Sequence, residues 1–206
     1  MLKNNLGDAI NAVKEGKIIG IPTETVYGIG VDPYSQSAVD KIFELKERSL
    51  DKPLSVLISS YEEISKLDVV SKIPDVVELY WPGPLTIIVE TKAKFANGVG
   101  TNNPLTIGIR VPDNELAIEL LKNTGPLAVT SANISGNENI LNHIDAENEF
   151  GAKIAIYLEG ESVLGSGSTI VDFTKDEWEI LREGPLKWPP RSEEHTSELQ
   201  SQFRIS

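Results

Sequence analysis

Eight short runs rich in isoleucine and valine punctuate this chain, and amphipathic stretches separate many of them. No other feature constrains the fold more, because apolar side chains alternate along a half-buried strand and recur once per turn on a surface helix. The runs are Lys17–Pro22, Leu54–Ile58, Leu85–Glu90, Thr106–Val111, Leu127–Thr130, Ile154–Leu158, Thr169–Phe173 and Trp178–Leu181, with Gly, Pro and Asn common at their flanks. Helices are expected at Leu6–Glu15, ended by Gly16, and at Ser37–Glu47, Glu62–Lys66, Pro74–Tyr80, Glu115–Leu121 and Ala146–Phe150. In Ser37–Glu47 the residues Ala38, Val39, Ile42, Phe43 and Leu45 lie mostly on one face, and Ser35 or Ser37 can cap its start. Interleaving of this kind predicts an α/β fold, a sheet with flanking helices. Several strands arrive without an intervening helix, notably from Ile154 onward, so a mixed sheet is expected over a purely parallel one.

The residue inventory narrows the chemistry. With no cysteine, disulfides, thiolate nucleophiles and cysteine zinc sites are excluded together. Two histidines, His143 and His195, leave little for a histidine-rich metal site or relay, and no metal ligands are assigned. Chemistry must come from Lys, Arg, Ser, Thr, Asn and carboxylates, a palette suited to phosphates and carboxylates. No apolar run approaches the roughly 18 residues of a membrane span, and the first residues lack a signal peptide's apolar centre. No membrane partner and a cytoplasmic location are therefore expected. Nineteen Lys and Arg against 31 Asp and Glu give a formal charge of −12. Such a chain repels nucleic acid unless it gathers a basic patch, so a basic cluster inside it is informative.

Residues 191–206, RSEEHTSELQSQFRIS, lack an apolar period and change composition abruptly. They read like the translation of a DNA-sequencing adapter, a non-native tail expected to be disordered, and are set aside with His195. The natural C-terminus is expected to be lost somewhere after Pro185. One domain is then expected over residues 1–190, which carry a net charge of −11.

Four strand ends release polar groups. After KIIGIP comes Thr23-Glu24-Thr25-Val26-Tyr27-Gly28-Ile29-Gly30, where threonine oxygens, backbone N–H groups and glycines stand at a sheet's edge, a common docking place for ligands. A turn capped by its own threonines explains the same letters. Lys46, Arg48 and Lys52 crowd around the end of a helix and the start of a strand. The helix dipole alone favours cations there, while an arginine fork with lysine point charges is what a polyphosphate requires. Arg110 interrupts an apolar strand on the same face as Thr106 and Gly108. It is either an edge-strand guard against aggregation or a carboxylate clamp. Ser131 and Asn133 follow another buried-looking strand and offer donors and acceptors for a ribose or phosphate, or simply a turn. Gly165-Ser166-Gly167-Ser168 before one strand and Arg182 after the next are weaker signals. One shared anionic pocket accounts for all of them more simply than six independent turns.

In order and spacing, PTETVYGIG, KERSLDKPLSVLI, WPGPLTIIV, TIGIRVP, SANISG, GSGSTIVDF and ILREGP resemble the YrdC-like threonylcarbamoyl-AMP synthases, in their short single-domain form, from about Asp8 to Pro185. The resemblance implies a twisted mixed sheet with helices outside and a concave, positively charged cavity. It implies that L-threonine, bicarbonate or CO2, and ATP give threonylcarbamoyl-AMP and pyrophosphate, a nucleotidyl transfer whose product feeds a complex that modifies tRNA. By position, Thr25 and Arg110 would hold threonine. Lys46 and Arg48 would be catalytic, with Lys46, Arg48 and Lys52 on the triphosphate. Thr106, Ser131, Asn133, Ser168 and Arg182 would line the nucleotide site. Mg²⁺ would accompany ATP without a dedicated protein cage, and direct tRNA binding would be weak or absent. A non-catalytic RNA-binding module using the same cavity is the alternative. Two places depart from the family pattern: Asn137–Leu141, where Ser-Pro-Thr is usual, and Arg48-Ser49, where Arg-Pro is common.

Overall fold

The β-branched runs pair into one sheet. The computed structural model describes residues 5–102, 105–134 and 136–189. Its strands are β1 (Ile19–Ile21), β2 (Gly28–Val31), β3 (Ser55–Leu57), β4 (Leu85–Glu90), β5 (Thr101–Asn102), β6 (Leu105–Arg110), β7 (Leu127–Ser131), β8 (Ile156–Tyr157), β9 (Thr169–Asp172) and β10 (Glu179–Arg182). The order across the sheet is β10-β9-β4-β6-β3-β7-β2-β1-β8, with β5 added beside β6. Parallel pairs (β1/β8, β3/β6, β4/β9) and antiparallel pairs coexist, as expected of a mixed sheet.

Helices α1 (Leu6–Lys14), α2 (Gln36–Lys46), α3 (Glu115–Thr124) and α4 (His143–Phe150) pack outside. On one face, Ile29, Val31, Val56, Ile87, Val89, Ile107 and Ile109 meet Ala38, Val39, Ile42 and Phe43 of α2. On the other, Ile19, Ile21, Leu57, Leu127 and Val129 meet Ala9, Ala12 and Val13 of α1 and Ala117, Leu120 and Leu121 of α3. By alternation this second face also carries Ser55, Gly108, Arg110 and Ser131. There α1 and α3 cover only part of the sheet, and the functional cavity occupies ground beside them.

The structure departs from the sequence expectations in several places. Gly28–Gly30, read as part of a ligand loop, lies in strand β2, and the two-residue β5 was not anticipated. Segments expected as helices near residues 62–66 and 74–80 are 3-10 turns. Ser35 sits at the start of α2, but no side-chain bond caps that helix. Asn142 and Asn114 do cap, accepting from Asp145 N–H and Ala117 N–H at 2.9 and 3.0 Å. Residues 191–206, expected to be a disordered tail, lie outside the described residues. Among the described residues no helix is long and apolar enough to cross a membrane.

Candidate functional site

A cavity of about 330 Å³ opens on the second face of the sheet. Two glycines bring the strands around it close together. A Cβ on Gly28 would approach Val129 Cγ1 to 3.0 Å, and one on Gly108 would meet Ser55 Oγ at 2.9 Å. Both glycines are needed for close strand approach, and neither adopts positive φ. Thr25, Arg48, Arg110, Ser131, Ser168 and Arg182 all line this space, though they come from widely separated segments.

Arg110 ends β6, which lies between β4 and β3 in the sheet interior, so the edge-guard explanation does not apply. The guanidinium is nearly buried. Its Nε donates to Gly83 O (3.1 Å) and its Nη1 to Thr25 Oγ1 (2.8 Å), while Nη2 stands 2.6 Å from Glu24 Oε2. Thr25, wholly buried, also shares a hydrogen bond with Thr23 Oγ1 at 2.9 Å. Across the sheet, Arg182 pairs in register with Ile170 and Ile170 with Thr86. Thr86 and Ser168 hydroxyls bond at 2.6 Å, and Arg182 donates to Ser168 O (2.9 Å) and Oγ (3.2 Å). Desolvation, and then the nearby Arg110 charge, hold the Arg182 guanidinium below its usual range.

Arg48 reaches the rim because α2 stops abruptly. Glu47 turns left-handed (φ 50°), and the Arg48 N–H closes back onto Phe43 O at 3.0 Å. The Arg48 side chain then donates to the carbonyls of Lys52 (2.6 Å) and Pro53 (3.3 Å). Among the described residues, the charged side chains lining the cavity are these three arginines.

Four expected site residues do not line it. Lys46 is 1% exposed, and its Nζ donates instead to the backbone carbonyls of Ser131 and Asn133. Lys52 gives its carbonyl to Arg48, and its own side chain is exposed. Thr106 stands at the far end of β6 from Arg110, about 13 Å along the strand, bonded to Thr101 Oγ1 at 2.7 Å. The Asn133 Nδ2 donates to Ile134 O and Asn137 O, both at 2.9 Å, while its Oδ1 is buried without a hydrogen-bond partner. Sequence reasoning also missed contributors. Glu24 lies inside the quoted motif, yet nothing local marks it as the partner of a residue 86 positions away; Asn139, within the divergent Asn137–Leu141 stretch, lines the cavity and donates to Gly165 O at 3.2 Å.

The Sua5/YciO/YrdC family model, described as telomere recombination, matches residues 11–184. The chain belongs to that family. Relatives of the family include a Mycobacterium tuberculosis protein provisionally named a threonylcarbamoyl-AMP synthase, 38% identical over 183 residues (86% of this chain, 83% of that one). The threonylcarbamoyl-AMP synthase of Pyrococcus abyssi is 36% identical over 184 residues (86% of this chain, 53% of that one). A crystal structure of P. abyssi Sua5 complexed with L-threonine superposes with a TM-score of 0.78 at 32% identity, over 98% of this chain and 58% of that one. The chain thus spans little more than half of these archaeal family members. Its mixed, twisted sheet with flanking helices is the Sua5/YciO/YrdC fold.

Among the described residues no group of three His, Cys, Asp or Glu side chains could hold a metal ion, and the cavity's own donors are guanidinium, hydroxyl and amide groups. That set does not suit Mg²⁺, which prefers carboxylate and water oxygens.

Proposed function

We propose that this protein is an L-threonylcarbamoyladenylate synthase. It takes L-threonine, CO2 from bicarbonate, and ATP, and releases threonylcarbamoyl-AMP and pyrophosphate. The product would pass to a transferase complex that modifies tRNA. The observation that carries the reading is convergence: Thr25, Arg48, Arg110, Ser131, Ser168 and Arg182 surround one cavity. Family membership and the names of its relatives support it.

In this reading the threonine amine bonds to CO2 and gives up a proton. A carbamate oxygen then attacks the α-phosphorus as pyrophosphate leaves. Nucleophile and leaving group are both anionic, so the chain must position them and neutralise charge; no covalent nucleophile is required. Arg110, oriented by Thr25, takes the threonine carboxylate. Arg48 and Arg182, whose hydrogen bonds go to carbonyl and hydroxyl oxygens, face the nucleotide's phosphates, with Ser131 and Ser168 beside them. Lys46 acts one step removed, by fixing the backbone that presents Ser131. Mg²⁺ would enter as part of the ATP substrate, and no step is assigned to it.

The deciding experiment mixes protein, ATP, Mg²⁺ and bicarbonate with and without L-threonine. Pyrophosphate should appear only with threonine, and release that ignores threonine rejects the proposal.

A further inference from the structure

One buried carboxylate beside the cavity has no part in that mechanism. Glu24 is 8% exposed. Its Oε2 lies 2.6 Å from Arg110 Nη2 and accepts the Asp113 N–H at 3.1 Å. Its Oε1 is buried without a hydrogen-bond partner, and Arg110 Nη2 is buried without an aligned acceptor. The pair therefore keeps one free acceptor and one free donor. Gly83 O and Thr25 Oγ1 already hold Arg110 through its other two nitrogens. Two neutral anchors thus fix the guanidinium, and what Glu24 adds is negative charge.

That charge changes what the subsite selects. A lone guanidinium in a poorly solvated site attracts any carboxylate. With Glu24 at contact distance, the field on an incoming anion is largely cancelled, and a second carboxylate is repelled. A ligand recovers the loss only by bringing a cation close to the Arg110–Glu24 pair. An α-amino acid does so, since its ammonium and carboxylate share one carbon. We infer that Glu24 is a specificity-determining residue, making the Arg110 end of the cavity select zwitterionic amino acids and reject plain carboxylates. The inference rests on the proposed function, which puts the threonine carboxylate on Arg110. Specificity of this kind works through repulsion of the wrong ligand as much as attraction of the right one.

The test is calorimetric titration of the full chain with L-threonine and with 2,3-dihydroxybutyrate, which carries a hydroxyl in place of the amine. Wild type should prefer threonine about tenfold or more. Glu24→Gln, with ATP affinity retained as the check on folding, should move the ratio of the two affinities about tenfold toward the hydroxy acid. Glu24→Asp, which keeps the charge, should retain the wild-type preference. Equal binding of both ligands by wild type overturns the inference, and so does an unchanged ratio in Glu24→Gln. Should the Gln variant not fold, equal binding of both ligands by wild type still overturns the inference. A wild type that neither binds threonine nor releases pyrophosphate with it rejects the proposed function itself. A threonine-dependent wild type whose preference survives Glu24→Gln rejects only the role of Glu24.

Discussion

Lys46 Nζ donates to the backbone carbonyl of Ser131, 85 residues further along the chain, and to that of Asn133 two residues beyond. The bonds tie the end of α2 to the end of β7 at the point where Ser131 enters the cavity wall. Replacing Lys46 with Met keeps much of the buried stem and leaves two buried acceptors unpaired. Each should cost about 1–3 kcal/mol. Urea denaturation of Lys46→Met at pH 8 should show that loss, and pyrophosphate release should fall with it. Wild-type stability would mean the latch contributes nothing.

The same burial makes the latch pH-dependent. Desolvation, and then the neighbouring Arg48 charge, pull the Lys46 ammonium down to about 7 from its usual 10.5. Between those values the unfolded chain holds a proton that the folded chain has released, so stability rises with pH across the window. The stability of wild type minus that of Lys46→Met should therefore increase from pH 7 to 9, by at most about 1.4 kcal/mol per pH unit. A flat or falling difference over denaturation curves at pH 7, 8 and 9 contradicts this assignment.

Why Lys46 was expected on the phosphates shows where sequence reading stops. Local pattern gave the elements well: Leu85–Glu90 matches β4 end for end, and Leu127–Thr130 is one residue short of β7. It also located the segments that meet at the cavity, because hydroxyls and cations that follow strands are visible as letters. It did not give side-chain direction. The left-handed turn at Glu47 sends Lys46 and Arg48 different ways, and a non-glycine residue there carries no local signal. Strand β2 was hidden for a related reason. Gly28 and Gly30 lack the β-branched signature because Val129 of β7 occupies the space their side chains would need. The Glu24–Arg110 pair depends on long-range packing that no spacing rule encodes.

Thr25 tests the threonine end of the cavity. Thr25→Val keeps the volume but removes the Oγ1 that accepts from Arg110 Nη1 at 2.8 Å. The guanidinium then loses an anchor. The threonine KM should rise about tenfold while the ATP KM stays near wild type, the size expected for a lost charge-assisted hydrogen bond. A change confined to ATP would move Thr25 to the other substrate.

Arg182 tests the nucleotide end. It stands on β10 at the cavity wall, and among the described residues its side chain hydrogen-bonds to Ser168, so Arg182→Ala should fold normally. Its loss should raise the ATP KM about tenfold and leave the threonine KM nearly unchanged. Steady-state kinetics with each substrate varied in turn separates the two, and equal effects on both would show that the ends of the cavity are not distinct.

Gly20 tests the scaffold behind the motif loop. A Cβ there would lie 2.7 Å from Tyr27 Oη and 2.9 Å from its Cε1. Tyr27 is fully buried, and its hydroxyl donates to Leu158 O at 2.7 Å. Its N–H donates to Ile140 O at 2.9 Å, and its carbonyl accepts the Ala132 N–H at 2.8 Å. This one ring and its backbone thus join β1, the strand beside it, the end of β7 that carries Ser131 and the loop that carries Asn139. Gly20→Ala must displace the ring and should cost about 1–3 kcal/mol. Tyr27→Phe should cost a similar amount through the orphaned Leu158 carbonyl. In the double variant the closest clash is gone and the Leu158 bond is lost only once. The combined loss measured by denaturation should therefore fall short of additivity by about 0.5 kcal/mol or more. Strict additivity would mean that Gly20 and Tyr27 act independently, and that the glycine is there for some reason other than the ring it faces.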